Sequence, residues 1–368
     1  MKLLTALLTV LLLCTPFAGY SDEGILGNYR LNECEGKIEK FDSREKVLDR
    51  MKMVADWQIR NFTYRTDGNL HDYGIDAWTN GVLYLGMSRW ASIATNDTLY
   101  YNWLRKIGDD NNWKIPANFR DYVAYQMFHA DELCVAQFYL AMYEKYQDPR
   151  MISSIEERLD WIMNTPKKES MNYKNKQVWS WCDALFMAPP VYAEMARIKS
   201  DSTYLKYMDE QFKKTYDHLY DSDAGLFFRD DSYFSKREAN GQKVFWGRGN
   251  AWVVAGLANI LEVLPADASA RPFYEDLFKR LALRLQSFQD ENGFWHASLL
   301  DPESYPAAET SATAMIVFAM AYGINNGLLD SDQFGESVCK GWNALNSVVD
   351  DSGKLGFIQP IGADPQKI

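Results

Sequence analysis

Histidine is scarce in this chain. Only His71, His129, His218 and His296 occur in 368 residues, and no two have the spacing of a metal-ligand pair. That argues against a histidine-built metal site and against chemistry that leans on paired imidazoles, such as sugar epimerisation. Positive charge is also in deficit: 39 Lys and Arg face 50 Asp and Glu, a formal net charge of −11. A phosphate backbone needs a basic footprint, so nucleic acid is excluded as a partner. Beyond Cys14 the chain keeps Cys34, Cys134, Cys182 and Cys339, which could form disulfides in an exported protein but are not needed for the stability of a domain this large. Cys134 and Cys182 fall within apolar helical stretches and are expected to be buried free thiols. Beyond the first residues there is no apolar run long enough to span a membrane. Strand signals are sparse too. Short runs at Leu226-Phe227-Phe228 and Gly293-Phe294-Trp295 are the candidates for small loop hairpins.

What is present begins with a leader. Lys2 is followed by apolar residues from Leu3 to Leu13 and then by Thr15-Pro16-Phe17-Ala18-Gly19, the layout of a signal peptide cleaved near Ala18 or Gly19. Export to the periplasm or the medium is therefore expected. Lipidation at Cys14 is disfavoured, because Leu13 stands where a small residue is needed. The chain divides into a leader (1–19), an extension (20–42) and one catalytic domain (43–368). Aromatic residues make up 14% of the chain, including 12 Trp and 22 Tyr. Without a basic surface, that surplus points to stacking on sugar rings, beside the ordinary filling of a large core.

The hydrophobic pattern is helical almost throughout. Eleven helices are expected, at 43–62, 79–93, 96–111, 131–146, 149–163, 182–198, 203–219, 249–264, 271–288, 310–325 and 331–347, with Ser43 capping the first. Five of them open on a polar residue and then run apolar all round: DAWTNGVLYLG from Asp76, DELCVAQFYLA from Asp131, DALFMAPPVYA from Asp183, RGNAWVVAGLA from Arg248 and ETSATAMIVFA from Glu309. Amphipathic helices alternate with them. Helices apolar all round are buried, and amphipathic ones lie outside. The pattern predicts a ring of helical hairpins, an all-α (α/α)6 barrel, with those five polar starts gathered at one end. Any single Asp in such a place can be a plain helix cap. Six hairpins need twelve helices, and the residues after Ser347 carry no twelfth buried run. An open ring would expose apolar inner surface, so low stability is expected.

Two segments carry the most chemistry, Trp179-Ser180-Trp181-Cys182-Asp183-Ala184-Leu185-Phe186-Met187-Ala188-Pro189-Pro190 and Phe245-Trp246-Gly247-Arg248-Gly249-Asn250-Ala251-Trp252. In the first, two indoles flank a carboxylate at a helix start, and the proline pair implies an irregular turn. In the second, an Arg between Trp residues can grip a carboxylate while an indole stacks on a ring. Its glycines would let backbone approach a ligand. His129-Ala130-Asp131-Glu132 and Pro306-Ala307-Ala308-Glu309-Thr310-Ser311 stand beside them.

In this order the four segments resemble the unsaturated rhamnogalacturonyl hydrolases of glycoside hydrolase family 105, related to the unsaturated glucuronyl hydrolases of family 88. The resemblance runs from about residue 43 to 360. It implies an (α/α)6 barrel that removes a 4,5-unsaturated uronic acid, galacturonyl or glucuronyl, from the non-reducing end of oligosaccharides left by lyases. It implies Asp183 as proton donor and Asp131 as the second carboxylate. Arg248 and the indoles of Trp78, Trp181, Trp246 and Trp252 would hold the sugar, with His129 and Thr310 beside them. No metal or cofactor is implied, and the partner is the oligosaccharide alone. Nothing in the sequence sets an oligomeric state.

The chain departs from the family at Gly225-Leu226-Phe227-Phe228-Arg229-Asp230-Asp231, where rhamnogalacturonyl members carry a histidine; Arg229 is the polar candidate there. Three influences act on Asp183: the helix start favours its charge, while the neighbouring indoles and Asp131 oppose it. A non-catalytic glycan-binding protein and a sugar epimerase on the same ring are the alternatives. Two carboxylates facing an acidic sugar argue against mere binding.

Overall fold

A computed structural model describes residues 43–66, 73–116 and 127–366. The expected leader, the extension with Cys34, and His71 lie outside the described residues. All eleven expected helices form: α1 (Arg44–Asn61), α2 (Trp78–Ile93), α3 (Asp97–Asp110), α4 (Ala136–Tyr146), α5 (Arg150–Asn164), α6 (Pro189–Lys199), α7 (Ser202–Leu219), α8 (Gly247–Val263), α9 (Arg271–Gln286), α10 (Thr310–Asn325) and α11 (Ser331–Ser347). Ser43 caps α1, its hydroxyl accepting from the Lys46 amide at 3.4 Å. The 3₁₀ turn Ala130–Leu133 leads into α4, and the single turn Ala184–Met187 leads into α6.

Hydrophobic pattern decides which helices lie inside. In α8 every residue from Gly247 to Leu261 is buried, and in α10 every residue from Thr310 to Met320. α7 buries only one stripe, Tyr204, Met208, Gln211, Phe212, Thr215 and Leu219, as an outer helix should. Inner helices α2, α4, α6, α8 and α10 pack in that order around the ring. The ring is filled rather than hollow. Trp78 of α2 meets Trp252 of α8 with centroids 6.2 Å apart, and the Arg89 guanidinium of α2 lies 5.4 Å from the Phe318 ring of α10.

Two expectations need correction. The large apolar side chains exposed among the described residues are Leu99, Phe234, Leu283 and Phe357, and none sits on an inner helix. The residues after α11 run as an irregular segment across the mouth of the ring: Arg60 donates to the Ser352 carbonyl at 3.2 Å, and Tyr233 donates to Asp364 at 2.7 Å. His218 lies on the outer helix α7, whose amphipathic pattern predicts a surface position, yet it is half-buried. Phe234 folds back against it edge-on at 5.4 Å, and its Nε2 is buried without a hydrogen-bond partner.

Strand content is small, as the sequence implied. Tyr220–Asp221 and Leu226–Phe227 form a two-stranded hairpin in register Tyr220↔Phe227 and Asp221↔Leu226. Asn250 of α8 pins it through both atoms of its amide: Oδ1 accepts from the Phe227 amide at 2.8 Å, and Nδ2 donates to the Phe227 carbonyl at 3.1 Å. This is how Arg229, two residues further on, is delivered to the start of the third inner helix.

Candidate active site

Asp183 sits one residue before the turn Ala184–Met187, where a helix cap belongs, yet its carboxylate makes no capping hydrogen bond. The helix breaks at Ala188 and restarts with Pro189 at its first position, where a missing N–H costs nothing. The backbone just before is anchored by the Cys182 amide, which donates to the Arg229 carbonyl at 2.9 Å. Asp183 is 9% exposed. Its Oδ2 accepts from the Cys182 thiol at 3.5 Å and lies 3.5 Å from Arg229 Nε. Burial pushes its carboxyl above the usual range; the Arg229 charge works against this, and the Asp131 charge adds to it. Of the three influences weighed from sequence, desolvation wins. Cys134 and Cys182 are buried free thiols as expected, and burial holds both in the protonated form.

Asp131 lies within the 3₁₀ turn, close enough to act on Asp183. Its Oδ1 is buried and accepts no hydrogen bond, while Oδ2 is 3.9 Å from His129 Nδ1. The Asp131 amide donates to His129 Nδ1 at 3.3 Å, which leaves the proton of the neutral ring on Nε2. Burial lowers the His129 pKa, so the ring stays neutral at physiological pH. It tilts against Trp181, with centroids 4.8 Å apart. On that indole rests Lys176, its Nζ 4.1 Å from the ring centroid. Arg229 is held by Asp230, with Nη1 to Oδ2 at 2.6 Å. Asp230 is itself buried and accepts from the Ser232 amide at 3.0 Å. Sequence reasoning missed Asp230 and Lys176. Asp230 follows Arg229 directly and was the more visible of the two.

The other polar starts are used differently. Glu309 is a true cap: its carboxylate accepts from the Ser311 amide at 3.1 Å and the Ala312 amide at 2.6 Å. Arg248, expected to grip the substrate, is 5% exposed. Its Nη1 donates to the Gln359 carbonyl at 3.0 Å and its Nη2 to the Pro360 carbonyl at 2.8 Å, with Glu309 at 3.9 Å. Its guanidinium stacks on Trp246 at 4.7 Å, and Trp246 Nε1 donates to Gln359 at 3.2 Å. Thr310 donates to the Phe357 carbonyl at 2.9 Å. Together these groups bind the segment after α11 rather than face open space. Trp181, Trp246 and Trp252 are each 2% exposed, and Trp252 packs on Phe186 at 4.7 Å. Only Trp78 of the four indoles keeps an intermediate exposure. The glycines beside Arg248 serve packing, not a ligand. A Cβ on Gly247 would meet the His296 carbonyl oxygen at 2.2 Å, and one on Gly249 would meet Trp246 at 2.9 Å. His296 pairs with Asp290 at 3.3 Å and lines a separate surface hollow of about 470 Å³ with Phe294, Pro306 and Asn343. Asp76 is carried upward in pKa by burial.

The mouth therefore holds a buried carboxyl raised above its usual range, a second carboxylate with one unused oxygen, and two flanking cations, on a ring of helical hairpins. A family model described as Glycosyl Hydrolase Family 88 matches residues 43–367. The chain belongs to glycosyl hydrolase family 88. Family 105, named first in the sequence resemblance, shares the fold: a possible member from Salmonella enterica aligns at a TM-score of 0.70 with 21% identity, over 89% of this chain and 88% of that one. An unsaturated 3S-rhamnoglycuronyl hydrolase from Alteromonas sp. (strain LOR) is 32% identical over 355 residues, 90% of this chain and 82% of that protein. Of solved structures, a polysaccharide lyase aligns at a TM-score of 0.78 with 30% identity, over 89% of this chain and 91% of that one. Family 88 membership and the named hydrolase make this chain a glycosidase.

Proposed function

We propose that this family 88 glycosidase removes a 4,5-unsaturated uronic acid from the non-reducing end of oligosaccharides by hydrating the C4=C5 double bond. The observation that carries the reading is the Asp183 carboxyl, free of capping bonds and held above its usual pKa by burial beside Asp131. The substrate is a vinyl ether conjugated to a carboxylate. Asp183 gives its proton to C4, and the double-bond electrons form the new C–H bond. Positive charge then spreads over C5 and the ring oxygen. Water attacks C5 and returns a proton to the Asp183 carboxylate, which restores the acid. The unused Oδ1 of Asp131 is the acceptor that can orient this water. The hemiketal at C5 opens by breaking its bond to the ring oxygen, and the hemiacetal left at C1 expels the next sugar as an alcohol. One water is consumed. The leaving-group oxygen needs no direct displacement at C1, unlike two-carboxylate glycosidase chemistry.

The name of the Alteromonas relative supports a rhamnose as the sugar released, and we carry that to this chain as part of the proposal. Lys2 and the apolar run after it support an exported enzyme. The test is the absorbance of the conjugated double bond, followed over time. Unsaturated disaccharides made by pectin-type and by glucuronan-type lyases are the substrates, with Asp183→Asn as control. Loss of absorbance with the wild type alone supports the reading and ranks the two substrates. A gain of absorbance on an intact polysaccharide would instead assign the chemistry of the structurally similar lyase, in which the double bond is made rather than consumed.

A further inference from the structure

The mechanism uses Asp183 and Asp131, and Arg229 is engaged by Asp230 and Asp183; one charged group of the mouth is left without a task. Lys176 lies in the loop before the third inner helix and is half-buried, with its ammonium on the face of Trp181 at 4.1 Å. The cation of Arg229 is already matched by Asp230 at 2.6 Å and Asp183 at 3.5 Å, and that of Arg248 by two carbonyls and Glu309. Among the described residues Lys176 makes no hydrogen bond and has no carboxylate within 4 Å; its one close partner is the Trp181 ring. Its electrostatic neighbours are Arg229, Asp230, Asp131, Asp183 and His129, the last of which packs on the same Trp181 indole, so the ammonium lies in the neighbourhood of both carboxyl groups. An ammonium drawn partly out of water, held by an indole face and given no anion at ion-pair distance, is built to receive one.

We propose that Lys176 is a specificity-determining residue that binds an anionic group of the substrate, with Trp181 fixing its position. The inference rests on the unsaturated-uronide reading, because that substrate brings a carboxylate to C5, one bond from the atoms that react. The charge can also come from an anionic substituent on the following sugar, and the two sources are separable. Burial, aided by the Arg229 charge and opposed by Asp230, Asp131 and Asp183, draws the Lys176 pKa down to about 8. Above that pH the ammonium loses its charge. Affinity for the anion then weakens.

The test measures binding and turnover separately. Dissociation constants for two unsaturated disaccharides, one with a neutral and one with a sulfated second sugar, are measured by calorimetry on Asp183→Asn, alone and combined with Lys176→Gln or Lys176→Arg. Loss of one charged hydrogen bond should weaken binding roughly tenfold or more in the Gln variant, with Arg restoring most of it. Equal weakening for both ligands assigns the uronate carboxylate, and weakening for the sulfated ligand alone assigns the second sugar. In the Asp183-intact enzyme, Lys176→Gln should raise KM by a similar factor, leave kcat within about twofold, and abolish the rise of KM above pH 8. Unchanged dissociation constants for both ligands, or a loss confined to kcat, overturns the assignment. The binding arm decides on Lys176 whether or not the wild type turns over, so its failure is distinct from failure of the proposed reaction.

Discussion

The mouth of the ring has two sides built from equivalent helix starts, and their polar atoms meet different fates. On the Arg248 side the guanidinium and Thr310 donate to the carbonyls of Phe357, Gln359 and Pro360, the Trp246 indole donates to the Gln359 side chain, and Glu309 accepts from the Ser311 and Ala312 amides. On the Asp183 side the groups are less deeply buried, and polar atoms are left over: Asp131 Oδ1 is buried and accepts nothing, Asp183 caps nothing, and Lys176 has no carboxylate at ion-pair distance. Burying unpaired polar groups is costly, and a protein keeps such an arrangement only where something else completes it. One repeat thus yields a structural joint on one side and a chemical site on the other. The difference lies in whether the polar inventory closes without a ligand, not in how suggestive the residues look in sequence.

Substitutions on the two sides should break different properties. The largest effect is expected for Asp183→Asn, which keeps the shape and removes the proton. Loss of general-acid catalysis should lower kcat by about 10²–10⁴, with disaccharide binding retained, as steady-state kinetics and calorimetry would show. Stability should move the other way. Because folding raises the Asp183 pKa, its contribution is fullest below the pKa of an unfolded carboxyl and is lost as pH rises through the folded value. At neutral pH the Asn variant should therefore melt no lower than the wild type. A variant that melts lower but turns over normally would place Asp183 on the structural side of the comparison. Next comes Arg248→Ala. Removing it strands two carbonyls and takes the cation from beside the buried, amide-capped Glu309, which should cost about 3 kcal/mol. A lower urea midpoint at unchanged m-value is the readout. A KM effect with unchanged stability would return Arg248 to substrate binding, where the sequence resemblance put it.

The same contrast marks what the sequence made legible. All eleven helices could be read because inner and outer ones differ in pattern over many residues, as α8 and α7 do. The gathering of Asp131, Asp183, Arg248 and Glu309 followed from their matching places in the repeat. The fate of Arg248 did not, because its acceptors are backbone carbonyls up to 112 positions away, and a carbonyl has no side-chain signature. The sugar platforms expected from Trp246 and Trp252 are core packing for a related reason: an indole reads alike in sequence whether it stacks on a sugar or on Phe186. Lys176, lying between Asn175 and Gln177 in a polar loop, has no periodicity to expose it. Only the indole beneath it gives its position meaning.

The finest test of the comparison lies at Arg229, which touches both structure and chemistry. It is fixed by Asp230 at 2.6 Å and reaches Asp183 with Nε at 3.5 Å, where its charge restrains the rise that burial imposes on the acid. Arg229→Gln removes that restraint, so Asp183 should stay protonated to higher pH. If Asp183 is the proton donor, the alkaline limb of kcat must move upward, measured as kcat against pH at saturating substrate. The direction is diagnostic, because mere loosening of the site would lower kcat at every pH and leave the limb where it was. An alkaline limb that moves downward would mean that the titrating group is stabilised in its protonated form by Arg229. No carboxyl beside a cation behaves that way, so the proton would have to come from elsewhere than Asp183.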